Sequence, residues 1–138
     1  MTWSTKEIEY EGLPLLLRRP NHTDVWNFKR VFSKLISIEH HLAEVLSNGL
    51  PESVYNESLA DFDNHMCNLL HESDNGIALI IETFSGKRNY YYYVRPRFQL
   101  ECLVEAVRSC FNVDLTAWEK KDPEWSFLET YPIEIFPK

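Results

Sequence analysis

Glycine is scarce in this chain, at four residues, which excludes Gly-rich phosphate-cradling loops and long flexible linkers. Cysteine is equally sparse and odd in number: Cys67, Cys102 and Cys110, with no C-x-x-C spacing. No disulfide framework is expected from that pattern. All three fall in helical patterns with apolar neighbours, so the expectation is buried, reduced thiols. Positive charge is in deficit, with 14 Lys and Arg against 21 Asp and Glu and a net charge of −7. That balance argues against broad attraction to nucleic acid or to anionic membrane. No run approaches the roughly 18–20 apolar residues that span a bilayer. Met1 to Tyr10 is polar and acidic, unlike a signal segment. A cytoplasmic location is expected by elimination.

The chain does carry hydrophobic material: 44% of its 138 residues are apolar and 14% aromatic. Such a chain is expected to form one domain over residues 1–138 whose core needs neither metal nor disulfide. Thr5–Tyr10 and Leu13–Arg19 flank Glu11-Gly12 and read as an N-terminal hairpin, ended by Pro20. Residues 31–46 fit two descriptions. Val31, Leu35, Ile38, Leu42 and Leu46 recur at helical spacing, whereas Val31-Phe32 and Leu35-Ile36-Ser37-Ile38 have strand composition.

After the breaker Asn48-Gly49-Leu50-Pro51, the residues Leu59, Phe62, Met66, Leu69 and Leu70 predict one helix over about Pro51–Glu72, closed by Gly76. Ile77–Ile81 predicts a buried strand, Ser85-Gly86 a two-residue turn, and Lys87–Val94 the returning strand. Pro96 opens a second helix with Leu100, Leu103, Val104, Val107 and Phe111 inward, and Val113–Trp118 is a last strand. Trp125, Phe127, Tyr131 and Phe136 mark residues 122–138 as an aromatic tail that packs back on the body.

Several of these motifs, in this order, resemble the domain-of-unknown-function (DUF) family 695 of bacterial proteins. They are the Asn48-Gly49-Leu50-Pro51 breaker, the acidic helix segment Leu59-Ala60-Asp61-Phe62-Asp63, the hairpin Glu82–Val94 with its four tyrosines, Asp122-Pro123-Glu124-Trp125, and Tyr131-Pro132. They extend over about Leu13 to Pro132. The resemblance implies a strand before the Gly-Leu-Pro turn, placed here at about Phe32–His41. This chain departs from the pattern in a longer stretch, His41–Ser47, before that turn. The resemblance implies a fold but no established activity. An association of similar domains with ones like the ribonuclease E inhibitor B proteins hints at a regulatory, protein-binding role.

With that strand, the order from residue 31 to 121 is β-α-β-β-α-β. This is a ferredoxin-like two-layer α+β sandwich behind the hairpin and loop of residues 1–30. One sheet face is then left for water, the tail or a partner.

No chemistry-bearing constellation stands out. His40 and His41 are adjacent, His65 and Cys67 are two apart, and no H-x-x-x-H occurs, so no metal site is expected. No G-x-S-x-G elbow is present, and Ser85 is explained by its turn, so no catalytic residue and no cofactor is assigned. Glu7, Glu9 and Glu11 share one strand face and suit a solvated edge. Asp61 and Asp63 suit local capping or pairing, and Asp122-Pro123-Glu124-Trp125 suits a turn anchored by Trp125.

The stretch Lys87–Arg97 carries Lys87, Arg88, Arg95 and Arg97 and no acid. Alternation puts Arg88 with Tyr90 and Tyr92 on one face, and Asn89 with Tyr91 and Tyr93 on the other. One tyrosine pair belongs under the helices and one on the open sheet face. The expected interaction surface is Lys87, Arg88, Tyr90, Tyr92, Arg95, Arg97 and Trp118, serving a non-enzymatic regulatory module that meets a protein partner or a second copy of the chain. The alternative is a small-molecule or enzymatic pocket between sheet and tail. A third reading, single-stranded RNA on the aromatic sheet, is opposed by the net charge.

Overall fold

The computed structural model describes residues 2–71 and 74–138. Six strands form one open antiparallel sheet: β1 (Trp3–Tyr10), β2 (Leu13–Pro20), β3 (Lys34–His41), β4 (Gly76–Phe84), β5 (Lys87–Val94) and β6 (Leu115–Lys121), in the order β1-β2-β4-β5-β3-β6. The helices are α1 (Ser53–Ser58), α2 (Ala60–Cys67), α3 (Leu100–Cys110) and the short α4 (Ser126–Glu129), with a 3-10 turn at Val25–Phe28. The chain is thus α+β. The hairpin β1–β2 extends the sheet because Leu16, Leu17 and Arg18 pair with Thr83, Glu82 and Ile81 of β4.

Both tight turns are of the kind the sequence indicates. Glu11 and Gly12 have φ of 52° and 82°, and Ser85 and Gly86 have 50° and 86°. These left-handed pairs match the twist of the flanking strands. The ambiguous residues 34–41 form a strand. The expected single helix over Pro51–Glu72 is instead two short ones that meet at Leu59, and its expected end at Glu72 falls outside the described residues. Ser58 Oγ donates to the Tyr55 carbonyl at 2.5 Å, and this local competition accompanies the break. The predicted inward face survives it, since Leu59, Phe62, Met66 and Leu70 are all buried.

Gly76 does not close that helix but begins β4. A Cβ there would lie 2.5 Å from the Tyr93 carbonyl oxygen, so close approach of two strands requires the glycine. The second helix begins at Leu100 rather than at Pro96, after a turn in which Phe98 N–H donates to the Arg95 carbonyl. Strand β6 runs to Lys121 and so pairs along the length of β3.

Two hydrophobic layers flank the sheet. On one side Ile36, Ile38, Tyr90, Tyr92 and Val94 meet Phe62, Met66, Val104 and Val107 of the helices. On the other, Leu35, Leu79, Ile80 and Tyr93 meet Val25, Phe32, Trp125, Leu128, Ile135 and Phe136. A bulge at Leu79 in β4 lets Leu79 and Ile80 both serve this second layer while Ala78 and Ile81 serve the first. The continuous apolar run of β4 is therefore shared between two cores.

Candidate functional site

The chain buries an unusual group of ionisable side chains beneath α1 and α2. Asp63 falls within the apolar stripe of α2, four residues after Leu59 and three before Met66, so helical geometry carries it inward. Facing it, sheet alternation delivers Arg18 from β2 and both Arg88 and Tyr90 from β5. Arg18 grips the carboxylate with both terminal nitrogens, Nη1 to Oδ2 at 2.8 Å and Nη2 to Oδ1 at 2.7 Å. The Tyr90 hydroxyl donates to the same Oδ1 at 2.6 Å. Arg88 Nη1 lies 3.9 Å from Oδ1, while its Nε donates to Thr83 Oγ1 at 2.9 Å and its Nη2 to Asn56 Oδ1 at 3.0 Å.

Ionisation follows from this geometry. Burial alone would raise the Asp63 carboxyl, but the hydrogen bonds and charge of Arg18, with Tyr90 and Arg88, outweigh it and hold the group below its ordinary value. Burial and the Asp63 charge push the Cys67 thiol up to about 11 and the Tyr90 phenol well above its usual value.

His40 extends the cluster. It is the cross-strand partner of Arg88, is 1% exposed, and packs edge-on to Phe62 at 5.0 Å. Its Nδ1 is buried with no hydrogen-bond partner among the described residues. Burial, and after it the charge of Arg88, lower its pKa to about 4, so it is neutral at pH 7.

Two concavities flank the α1–α2 segment. The larger, about 790 Å³, is bordered by His40, His41, Tyr55, Asp61, Phe111 and Asp114 among others. The smaller, about 360 Å³, is bordered by Thr5, Arg18, Asn56, Glu57, Thr83 and Arg88 among others. Tail residues line a third, about 460 Å³, that includes Trp26, Glu129 and Tyr131. Close to it the Tyr131 hydroxyl donates to Glu82 at 2.6 Å, and burial raises the Glu82 carboxyl.

The seven residues expected to form one interaction surface are not brought together. Tyr90 and Tyr92 lie beneath the helices, 0% and 1% exposed, with the Tyr92 hydroxyl on the Met66 carbonyl at 2.7 Å. Arg88 is buried beside them, so this parity of β5 is the inner one. It is the other pair, Tyr91 and Tyr93, that faces the tail: Tyr91 packs on Phe127 and Tyr93 on Trp125. Lys87 is exposed at the start of β5, whereas Arg95, bound to Asp74, and exposed Arg97 lie beyond its other end. Trp118 is 39% exposed on the tail side, edge-on to Tyr91.

The expectation of three buried thiols is likewise corrected. Cys102 and Cys110 are exposed and Cys67 is half-buried, because α3 turns Leu100, Val104 and Val107 inward. Among the described residues no cluster of three or more His, Cys, Asp or Glu could hold a metal ion, and no helix is long and apolar enough to cross a membrane. Sequence reasoning named Asp63 for local pairing but missed Arg18 and His40. The available signal was a charged or titratable residue inside an apolar periodicity: Asp63 in Leu59–Leu70, and His40 after Ile36 and Ile38.

An antiparallel sheet backed by helices on one face and by an aromatic tail on the other, with a buried Arg-Asp-Arg cluster between sheet and helices, defines the class as an α+β domain. The chain belongs to the family of unknown function DUF695, whose model matches residues 22–131. No curated protein and no solved structure matches it significantly.

Proposed function

We propose that this domain is a non-catalytic protein-recognition module whose contact surface is the acid-lined groove beside His40, in place of the sheet face indicated by the sequence. The observation that carries this reading is the groove of about 790 Å³, bordered by the exposed carboxylate residues Asp61 and Asp114. Charge complementarity favours a partner segment bearing Lys or Arg. Tyr55 and Phe111 offer aromatic surface for the aliphatic stem of such a side chain.

The groove is open, with Ser58, Asp61, Asn112 and Asp114 exposed, which suits docking of a peptide segment. The order β4-β5-β3-β6, with α1–α2 and α3 on one face, supports a ferredoxin-like description of the core. Tyr90 and Tyr92, being buried, offer no platform for stacking nucleobases.

Panning a random peptide library against the immobilised domain tests the proposal. Enriched sequences should carry Lys or Arg. The double variant Asp61→Asn, Asp114→Asn, both positions being exposed, should lose the enrichment while keeping the fold. Enrichment of sequences without basic residues, or enrichment unchanged in the double variant, would overturn it.

A further inference from the structure

The second concavity carries a different chemistry. We infer that the cavity over Arg88 and Arg18 is a binding site for an oxyanion, the carboxylate or phosphate of a small molecule, which supplies a second counter-charge to two guanidiniums that share Asp63. Arg88 is 6% exposed and its side chain is held by two neutral acceptors, Thr83 Oγ1 and Asn56 Oδ1. The nearest carboxylate is Asp63, and both of its oxygens are already engaged by Arg18, one of them also by Tyr90. A buried guanidinium, Arg88, and a half-buried one, Arg18, thus share one carboxylate. Buried charges are retained when paired, and the second cation has no pair of its own.

The donor left over is Arg88 Nη1, which makes no hydrogen bond among the described residues beyond its 3.9 Å approach to Asp63. Guanidinium forks match planar or tetrahedral oxyanions. The hydroxyls of Thr5 and Thr83 and the amide of Asn56 border the same space and add neutral hydrogen-bonding groups. Its volume, about 360 Å³, is within the range of small-molecule sites. Two carboxylates also border the cavity: Asp63, whose oxygens are engaged by Arg18 and Tyr90, and Glu57, which is exposed and screened by solvent. This inference does not rest on the groove beside His40, which lies across α1–α2 and takes the opposite charge.

The test is an NMR titration of the whole chain, following the Arg88 Nε–Hε and the Asn56 side-chain amide. The probes are inorganic phosphate and acetate, each compared with sodium chloride at equal ionic strength. The expected result is saturable shifts of both signals with at least one probe and none with chloride. Saturation by phosphate alone assigns a phosphoryl ligand, and by acetate alone a carboxylate. A second readout is His40, whose neighbours are Arg88, His41, Asp114 and Asp63. An anion beside Arg88 should move the His40 titration to higher pH.

Ala60→Glu provides the control. It places a carboxylate at the mouth of the cavity, on an exposed helical position that tolerates Glu, and should abolish saturation without unfolding the chain. Shifts that follow chloride as closely as phosphate and acetate, or saturation that survives Ala60→Glu, would refute the site.

Discussion

Tyr93 and Trp125 stack face to face, with ring centroids 4.3 Å apart and planes 2° from parallel. Trp125 is fully buried in a left-handed backbone conformation, φ 53°, and its indole Nε1 donates to the Phe32 carbonyl at 2.7 Å. Asp122 accepts from the Tyr93 hydroxyl and from the amides of Ser126 and Phe127, so the turn that begins the tail is bonded to the sheet it covers. Trp125→Ala should therefore cost about 4 kcal/mol, the usual range for emptying a large aromatic site. Urea denaturation would measure it, and a loss below about 1 kcal/mol would mean that the tail contributes little to the fold.

Asp63→Asn tests the buried ion cluster. The substitution leaves Arg18 and Arg88 without a carboxylate, and breaking a buried pair by removing one partner costs about 3 kcal/mol. The folded-state carboxyl titrates below its unfolded value. Its stabilisation is therefore complete above the unfolded pKa, near 4, and is lost as pH falls through the folded value. Acid titration of stability should show less loss below pH 4 in Asp63→Asn than in the parent chain.

His40 should act at higher pH. Its folded pKa, about 4, lies below the unfolded 6.5, so the unfolded state binds more protons between those values. Stability is complete above pH 6.5 and falls toward pH 4, by about 3 kcal/mol for a shift of this size. His40→Gln should flatten this part of the stability–pH curve. An unchanged slope would show that His40 is not the group responsible.

Two glycines with the same backbone sign should differ in tolerance. Gly12 has φ +82° with open space around a hypothetical Cβ, whereas Gly49, φ +87°, would place a Cβ 2.7 Å from the Ser85 Cα. Gly12→Ala should cost about 1 kcal/mol for the left-handed backbone alone. Gly49→Ala should cost more, because the loop must also move off the β4–β5 turn to which it is hydrogen-bonded. Equal melting temperatures for the two variants would contradict the contact.

Thiol chemistry should divide the cysteines two to one. Cys102 and Cys110 are exposed and should react with Ellman's reagent in the native protein. Cys67, half-buried with its thiol pushed up to about 11, should react only slowly until the chain unfolds. Three equally fast thiols would place Cys67 outside the cluster.

The parts of the fold that a reader of the sequence can see are those set by neighbours along the chain. Glu11-Gly12 and Ser85-Gly86 announce their turns because left-handed backbone favours glycine, and Ile77–Ile81 announces its strand by length and branching. The sequence also shows that Tyr90, Tyr92 and Arg88 share a face. It does not show which face is inside, because that depends on acceptors elsewhere: Asp63 for the Tyr90 hydroxyl and the Met66 carbonyl for that of Tyr92. An arginine beside two tyrosines suggested solvent, yet Arg88 is held inside by Asn56 and Thr83. The cluster itself joins residues as far apart as Arg18 and Asp63, 45 positions in the chain, with no local spacing to betray them. The divided helix was hidden for the opposite reason, since its apolar periodicity runs unbroken across the break at Leu59.

Arg18 belongs to β2, and β2 precedes the segment by which the chain is recognised as a family member. At the other end, Ile135 and Phe136 lie beyond that segment and fill the layer that Leu15 and Leu17 enter from the start. The family match thus covers a shorter stretch than the packed layers do. A fragment of residues 22–131 alone would leave the acid at position 63 without its tightest partner and remove Leu15, Leu17, Ile135 and Phe136 from one core. Any relative without a comparable leading hairpin must answer that acid from another direction, or have abandoned it.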